Sequence, residues 1–340
     1  MTDIEYLDKR LRILLLDDYE GLLDELCKIG GSFNEFRGWT PLKLIALSYF
    51  IQPYLNIMRG LERKRGRTAL VYIDLFAGSG INRVGKYALA GSPIVAIDCA
   101  TKARRQFDYM FFVDSSPEHI DSLQARLDYM ASAEIKEKGK LLPERKFAWI
   151  KENCEIKCVV GDANQSLESI VNFLNKLRYR NYLAFIDPYK WQIKWLSLER
   201  LLQIPYGDVF ITHQASLIAK EIAREDLTEE TKKEITDYFG VPEAMWSQLK
   251  KERDVRDFYI DRIREYRPYV QEITIRGKTS RGGTFKYYLI FATRKENPVW
   301  GEAVQRLKQI VESYSGDIVE HSLKYLYGDE VRLFDFEESD

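Results

Sequence analysis

Four aspartates, Asp74, Asp114, Asp162 and Asp187, each follow a short apolar run, and two glycines, Gly78 and Gly80, follow the first of them. Carboxylates gathered along one edge of a sheet repel one another and cost stability unless a ligand or bound donors compensate. Such an edge suits a ligand that brings cationic groups, ribose hydroxyls and an amino group, whereas a dinucleotide brings negative phosphates. Glycines at this place let the chain turn sharply and bring bare backbone N–H groups close to a ligand, which a Cβ would obstruct. Each acid alone also reads as the N-cap of the helix after its strand, and Asp162 is the most open to that reading.

The elements that must position these residues follow from the apolar spacing. Leu70–Ile73 is too short and too apolar for anything but a strand buried on both faces. Tyr109–Val113, Lys157–Val160, Leu183–Ile186 and Asp208–Thr212 repeat the pattern, and helical spacing lies between them at 92–104, 120–127 and 167–174. Strands alternating with helices imply a parallel, doubly wound sheet. Gln271–Ile275 and Tyr287–Phe291, joined by a Gly282-Gly283 loop, are close enough in sequence to form an antiparallel hairpin. The expected fold is therefore α/β, a Rossmann-like sheet of seven strands, five parallel plus a terminal antiparallel hairpin. Residues 1–67 form an N-terminal helical segment, 68–213 and 269–330 the α/β domain, and 214–268 a charged helical insertion or lid. Thr40 and Pro41 open the second N-terminal helix, Ser92 and Pro93 the one after the glycine turn. Residues 59–67 read as a basic connector, either a solvated linker or a phosphate-facing patch, 131–150 as an irregular insertion, and Glu337–Asp340 as a frayed tail.

S-adenosylmethionine meets the requirement set by the acids: an ammonium and a sulfonium for the first strand, ribose hydroxyls for the second, an adenine amino group for the third. NAD fits less well. Its fingerprint wants a third glycine where Arg83 stands and an acid about 20 residues on, at Asp98, which falls inside a helix.

In order, Asp74-Leu75-Phe76-Ala77-Gly78-Ser79-Gly80, Asp114, Gly161-Asp162-Ala163-Asn164 and Asp187-Pro188-Tyr189 resemble the motifs of class I S-adenosylmethionine-dependent methyltransferases. The Trp39-Thr40 to Lys43 helix entry, Gly91-Ser92-Pro93 and Ile186-Asp187-Pro188-Tyr189 more closely resemble the three-Cys-motif partner proteins, the TcmP family. This resemblance runs from about residue 39 to residue 300. It implies S-adenosyl-L-methionine bound by Asp74, Phe76, Ala77, Gly78, Gly80, Asp114, Asp162 and Ala163. It also implies a protein partner carrying a three-cysteine motif. Asp-Pro-Tyr is similar to the Asp-Pro-Pro-Tyr motif of amino-methyltransferases acting on nucleic-acid bases. By that match Asp187 and the Pro188 carbonyl accept hydrogen bonds from the amine and Tyr189 stacks on the base. Here the second proline is missing and Lys190-Trp191 follows.

Composition narrows the field. The chain has 340 residues, 45% hydrophobic, with 51 Lys and Arg against 52 Asp and Glu. Any nucleic-acid binding must come from local basic patches. Arg262, Arg264 and Arg267 with Tyr266 and Tyr269, and Arg276, Lys278 and Arg281, are the candidates. Cys27, Cys99, Cys154 and Cys158 form neither a disulfide framework nor, with three histidines, a ready metal site, so no metal is expected. No apolar stretch approaches a membrane span, and a cytoplasmic location is expected. Two functions remain: N-methylation of a nucleic-acid base or nucleotide, or a methyltransferase-fold protein that works by docking to another protein.

Overall fold

The computed structural model describes residues 3–330 apart from 37, 138–139, 142–144, 279–283 and 295–297. Helices α1 (Asp3–Leu14) and α2 (Leu22–Lys28) precede a three-residue strand, β1 (Asn34–Phe36), and the long α3 (Thr40–Arg65). The central strand β2 (Ala69–Asp74) leads into a hairpin, β3 (Ile81–Val84) and β4 (Tyr87–Ala90). Next come α4 (Ser92–Lys102), β5 (Tyr109–Asp114), α5 (Pro117–Ser132), the short β6 (Lys136–Glu137) and β7 (Lys140–Leu141), and α6 (Trp149–Glu152). The alternation resumes with β8 (Glu155–Val160), α7 (Ala163–Lys176), β9 (Arg180–Ile186), α8 (Trp195–Gln203) and β10 (Gly207–His213). Helices α9 (Ala215–Ile222), α10 (Glu229–Phe239), α11 (Glu243–Trp246) and α12 (Glu252–Arg264) follow β10. The chain closes with β11 (Tyr269–Lys278), β12 (Thr284–Thr293), α13 (Pro298–Ser313) and α14 (Gly316–Leu326).

The main sheet has seven strands in the order β11-β12-β10-β9-β2-β5-β8. β8, β5, β2, β9 and β10 run parallel, and the β11–β12 hairpin joins β10 in antiparallel register, Ile211 opposite Ile290. The winding reverses at β2, which has β5 on one side and β9 on the other. Strand residues alternate between two cores, as a two-residue period requires. Leu70, Tyr72, Met110, Phe112, Leu183 and Phe185 pack against α1–α5, α13 and α14. Val71, Ile73, Phe111, Val113, Ala184 and Ile186 pack against α7–α10 and α12. The result is a doubly wound α/β fold with both sheet faces covered.

Several elements differ from the sequence expectation. The basic run at 59–67 is helical through Arg65 and lies before β2, at the sheet edge opposite the strand-end acids. Residues 1–67 are not all helical: β1 pairs with β3, which pairs with β4, in a separate small sheet. Too short and too polar to show a period, β1 is fixed only by its partner. Residues 131–150 contain β6, β7 and α6, and α14 follows the expected last helix. Helix α3 begins at Thr40 with Trp39 as its N-cap, and α4 is capped by Gly91. The Gly282-Gly283 loop, Arg281 and the Glu337–Asp340 tail lie outside the described residues. No described helix is long and apolar enough to cross a membrane.

Candidate active site

In open α/β sheets, ligands bind beyond the carboxyl ends of the strands where the winding reverses. Asp74 ends β2, Asp114 ends β5 and Asp187 follows β9, so three of the four expected acids stand on adjacent strands at that reversal. Asp74 is fully buried. Its Oδ1 accepts the Phe76 N–H at 3.2 Å, while Oδ2 is buried without a well-formed hydrogen bond. Burial pushes its carboxyl up to about 7; the Ser92 hydroxyl and the Phe76 N–H oppose the rise, and the charges of Asp187 and Asp114 add to it.

The glycine turn closes over this carboxyl. Gly78 and Gly80 adopt φ of 61° and 83°, where only glycine is unstrained. A Cβ on Gly78 would collide with the Asn34 carboxamide, and one on Gly80 would lie 2.8 Å from Leu123 Cδ1. The turn's N–H groups are engaged: Gly78 donates to Asp114 Oδ2 at 3.0 Å, and Ser79 donates to Asn34 Oδ1 at 2.8 Å. Asp114 Oδ1 accepts from Ser116 N at 2.9 Å and stands 3.2 Å from His119 Nδ1. Beneath the turn, the buried Arg126 donates to Ser79 O at 2.6 Å. Ala77 donates to Val113 O at 2.8 Å, tying the turn to β5, and Phe76 is half-buried at its rim.

Asp162 is the N-cap of α7, its Oδ1 accepting from Asn164 N at 2.9 Å and Gln165 N at 3.0 Å, with Ala163 buried behind it. It follows β8 at the sheet edge, one strand beyond the other three acids.

Asp187 sits on the other flank of Asp74. Lys43 Nζ, from the second turn of α3, lies 2.5 Å from its Oδ2 and 5.5 Å from the centroid of the Tyr287 ring. The Tyr287 hydroxyl donates to Trp39 O at 3.3 Å. Residues 144 positions apart in the chain are thereby joined. Gln214 Nε2 donates to Pro188 O at 3.2 Å and also to Tyr189 O, bracing the Asp-Pro-Tyr turn. The Tyr189 side chain is 76% exposed, free of packing. Lys43, Asn34, His119 and Gln214 carried no chemical signal in the sequence; only for Lys43 did the resemblance mark the segment.

The first expected basic and aromatic cluster, Arg262 to Tyr269, is not at this edge, whereas Arg276 of the second set lies opposite Lys286, past the His213 end of the sheet. Arg267 is buried and donates to Gly207 O, Leu202 O and Ile204 O, an internal brace near the opposite strand ends. Arg262 bonds Phe239 O and stacks on Trp195, Arg264 pairs with Asp261, and Tyr266 bonds Glu199. Cys154 and Cys158 precede and lie in β8, and burial pushes both thiols up to about 12. Among the described residues no group of three His, Cys, Asp or Glu is placed to hold a metal ion.

The strand order, winding reversal and glycine turn define a Rossmann-like α/β fold with the strand arrangement expected from the methyltransferase resemblance. No protein-family model and no curated protein matches the chain. Among solved structures, it is similar to a Legionella pneumophila protein of the DUF519 family at 12% identity, over 79% of this chain and 94% of that one, TM-score 0.41. It is also similar to an O-methyltransferase from Bacillus cereus solved in complex with SAH, at 12% identity over 85% and 100% of the chains, TM-score 0.41.

Proposed function

We propose that this protein is an S-adenosylmethionine-dependent methyltransferase acting on a nitrogen of a nucleic-acid base or nucleotide. The observation that carries the cofactor is Asp74: a fully buried carboxyl with one oxygen left without a well-formed hydrogen bond, at the winding reversal, between Asp114 and Asp187. A cationic ligand relieves that burial cost. Asp114 is placed for ribose hydroxyls, in exchange for part of its hold on the Gly78 N–H. Asn34 stands where the ligand would meet the Ser79 N–H, so it yields or shares that donor.

When bound, the cofactor supplies a methyl group on positively charged sulfur. The chain's own task is positioning, because holding the nucleophile in line supplies most of the acceleration. Asp187 Oδ2 is paired with Lys43, which leaves Oδ1 to accept from an acceptor amine and aim its lone pair. The Pro188 carbonyl keeps a second lone pair beside the Gln214 contact. The Tyr189 ring is exposed for stacking on a base. As the nitrogen gains carbon, its proton can pass to Asp187.

A second reading draws on the same residues. The engaged turn N–H groups and the Lys43–Asp187 ion pair describe a site already satisfied by its own side chains, as in a TcmP-like protein that keeps the fold and docks to a partner carrying a three-cysteine motif. Calorimetric titration with S-adenosylmethionine and S-adenosylhomocysteine separates the two. Saturable binding that weakens in Asp114→Ala, with transfer to nucleic acid lost in Asp187→Ala, is expected for the enzyme. Absence of binding to folded wild-type protein would leave docking as the account.

A further inference from the structure

Beyond the Asp-Pro-Tyr turn, a cleft of about 380 Å³ is lined by Ser216, Ala219, Lys220, Lys250, Glu252 and Lys286. Its place follows from the register. His213, the last residue of β10, lies opposite Tyr288, so Lys286 on β12 projects past the same strand end that carries the candidate site. Gln214, which braces Pro188 and Tyr189, is two residues before Ser216, whose Oγ accepts the Lys286 N–H at 3.3 Å. The cleft therefore lies along the same sheet edge as Asp187, by β10 and β12, the next two strands in the order.

Three lysines, from α9, from the segment between α11 and α12 and from β12, line the cleft with one carboxylate. Glu252 is already committed: it accepts from Ser216 Oγ at 2.9 Å and from the Tyr288 hydroxyl, and Lys286 is 3.8 Å away. Lys220 and Lys250 are exposed and have no acidic partner among the described residues. Like charges converging on a concave surface favour a polyanion. In a chain whose formal net charge is −1, this attraction is local.

We infer that this lysine cleft holds backbone phosphates of a nucleic-acid strand whose base is presented at Asp187 and Tyr189. This rests on the proposed function and names the form of its substrate. A polymer with regularly spaced phosphates can place a phosphate in the cleft while it presents a base at Asp187.

The test is fluorescence anisotropy with labelled single-stranded DNA and RNA oligonucleotides across a salt series. It uses the wild type, Lys220→Glu/Lys250→Glu, and Lys64→Glu as a charge control at the opposite sheet edge. S-adenosylmethionine titration and thermal melting are run on each. Expected are affinity at least about tenfold lower in the double variant and a salt slope shallower by about 1.4, at roughly 0.7 for each phosphate no longer neutralised. Lys64→Glu should match the wild type, and cofactor binding should be unchanged throughout. In turnover, KM for the oligonucleotide should rise and kcat hold. Equal affinity of wild type and double variant, an equal loss in Lys64→Glu, or no oligonucleotide binding by a wild type that binds the cofactor would overturn the cleft while leaving the cofactor reading intact. Failure to bind the cofactor, with the lysine effect present, would overturn the methyltransferase reading and leave the cleft.

Discussion

Asp74 and His213 occupy equivalent places, the last residues of parallel strands at the same sheet edge, and both are fully buried. Their surroundings send them in opposite directions. Asp74 faces a glycine turn and two further carboxylates, and its carboxyl is pushed up to about 7. His213 is covered by α10 and α12: its ring stacks on Tyr238 and on Tyr259, each at an interplanar angle of 6°, and Nδ1 is 2.6 Å from the Tyr238 hydroxyl. Burial lowers its pKa to about 3, so it stays neutral. A titratable group at a strand end therefore marks a candidate site only where the cover is polar and yielding; under a stack of aromatic rings it is core.

That contrast can be broken most directly at Asp74. Asp74→Asn keeps the shape and removes the charge, and should lower S-adenosylmethionine affinity at least about tenfold, the scale of one charge-assisted hydrogen bond. A comparable loss in His213→Gln would erase the distinction. The pH dependence of binding sharpens it: if only ionised Asp74 binds the cation, wild-type affinity should rise about tenfold per pH unit below about 7 and level off above, whereas Asp74→Asn should show no such rise.

Stability without ligand should show opposed slopes. Because the folded pKa of Asp74 lies above its unfolded value, the folded state holds the extra proton, and stability from this group is lost as pH rises from about 4 to about 7. For His213 the folded pKa lies below the unfolded one, so stability is lost as pH falls from about 6.5, by about 1.4 kcal/mol per pH unit. Denaturant melts across pH should find the first slope gone in Asp74→Asn and the second gone in His213→Gln. Unchanged slopes would mean that other groups carry the titration. The smallest effect is expected at Asn34→Ala, about 1 kcal/mol of stability for the missing hydrogen bond to Ser79, read in the same melts.

The parallel strands, the terminal hairpin, the glycine turn and the acids at the strand ends were all legible in the chain. Those features are local: a run such as Leu70–Ile73 buried on both faces leaves no other conformation, and only glycine takes the backbone angles of 78 and 80 without strain. Which of these residues share an edge, and what covers them, depends on the assembled fold. Asp162 was as legible as Asp114; it stands at the same carboxyl edge, on the outermost strand β8, where it caps α7. Arg267 looked like a surface cation and is an internal brace, because five partners surround its guanidinium: the Gly207, Leu202, Ile204 and Tyr266 carbonyls and the Tyr182 hydroxyl. Lys43 meets Asp187, and Asn34 reaches Ser79, across separations of 144 and 45 residues. Contacts of that kind leave no periodicity in the chain. They arise only when α3 and β1 dock against a finished sheet and their polar groups must find partners there.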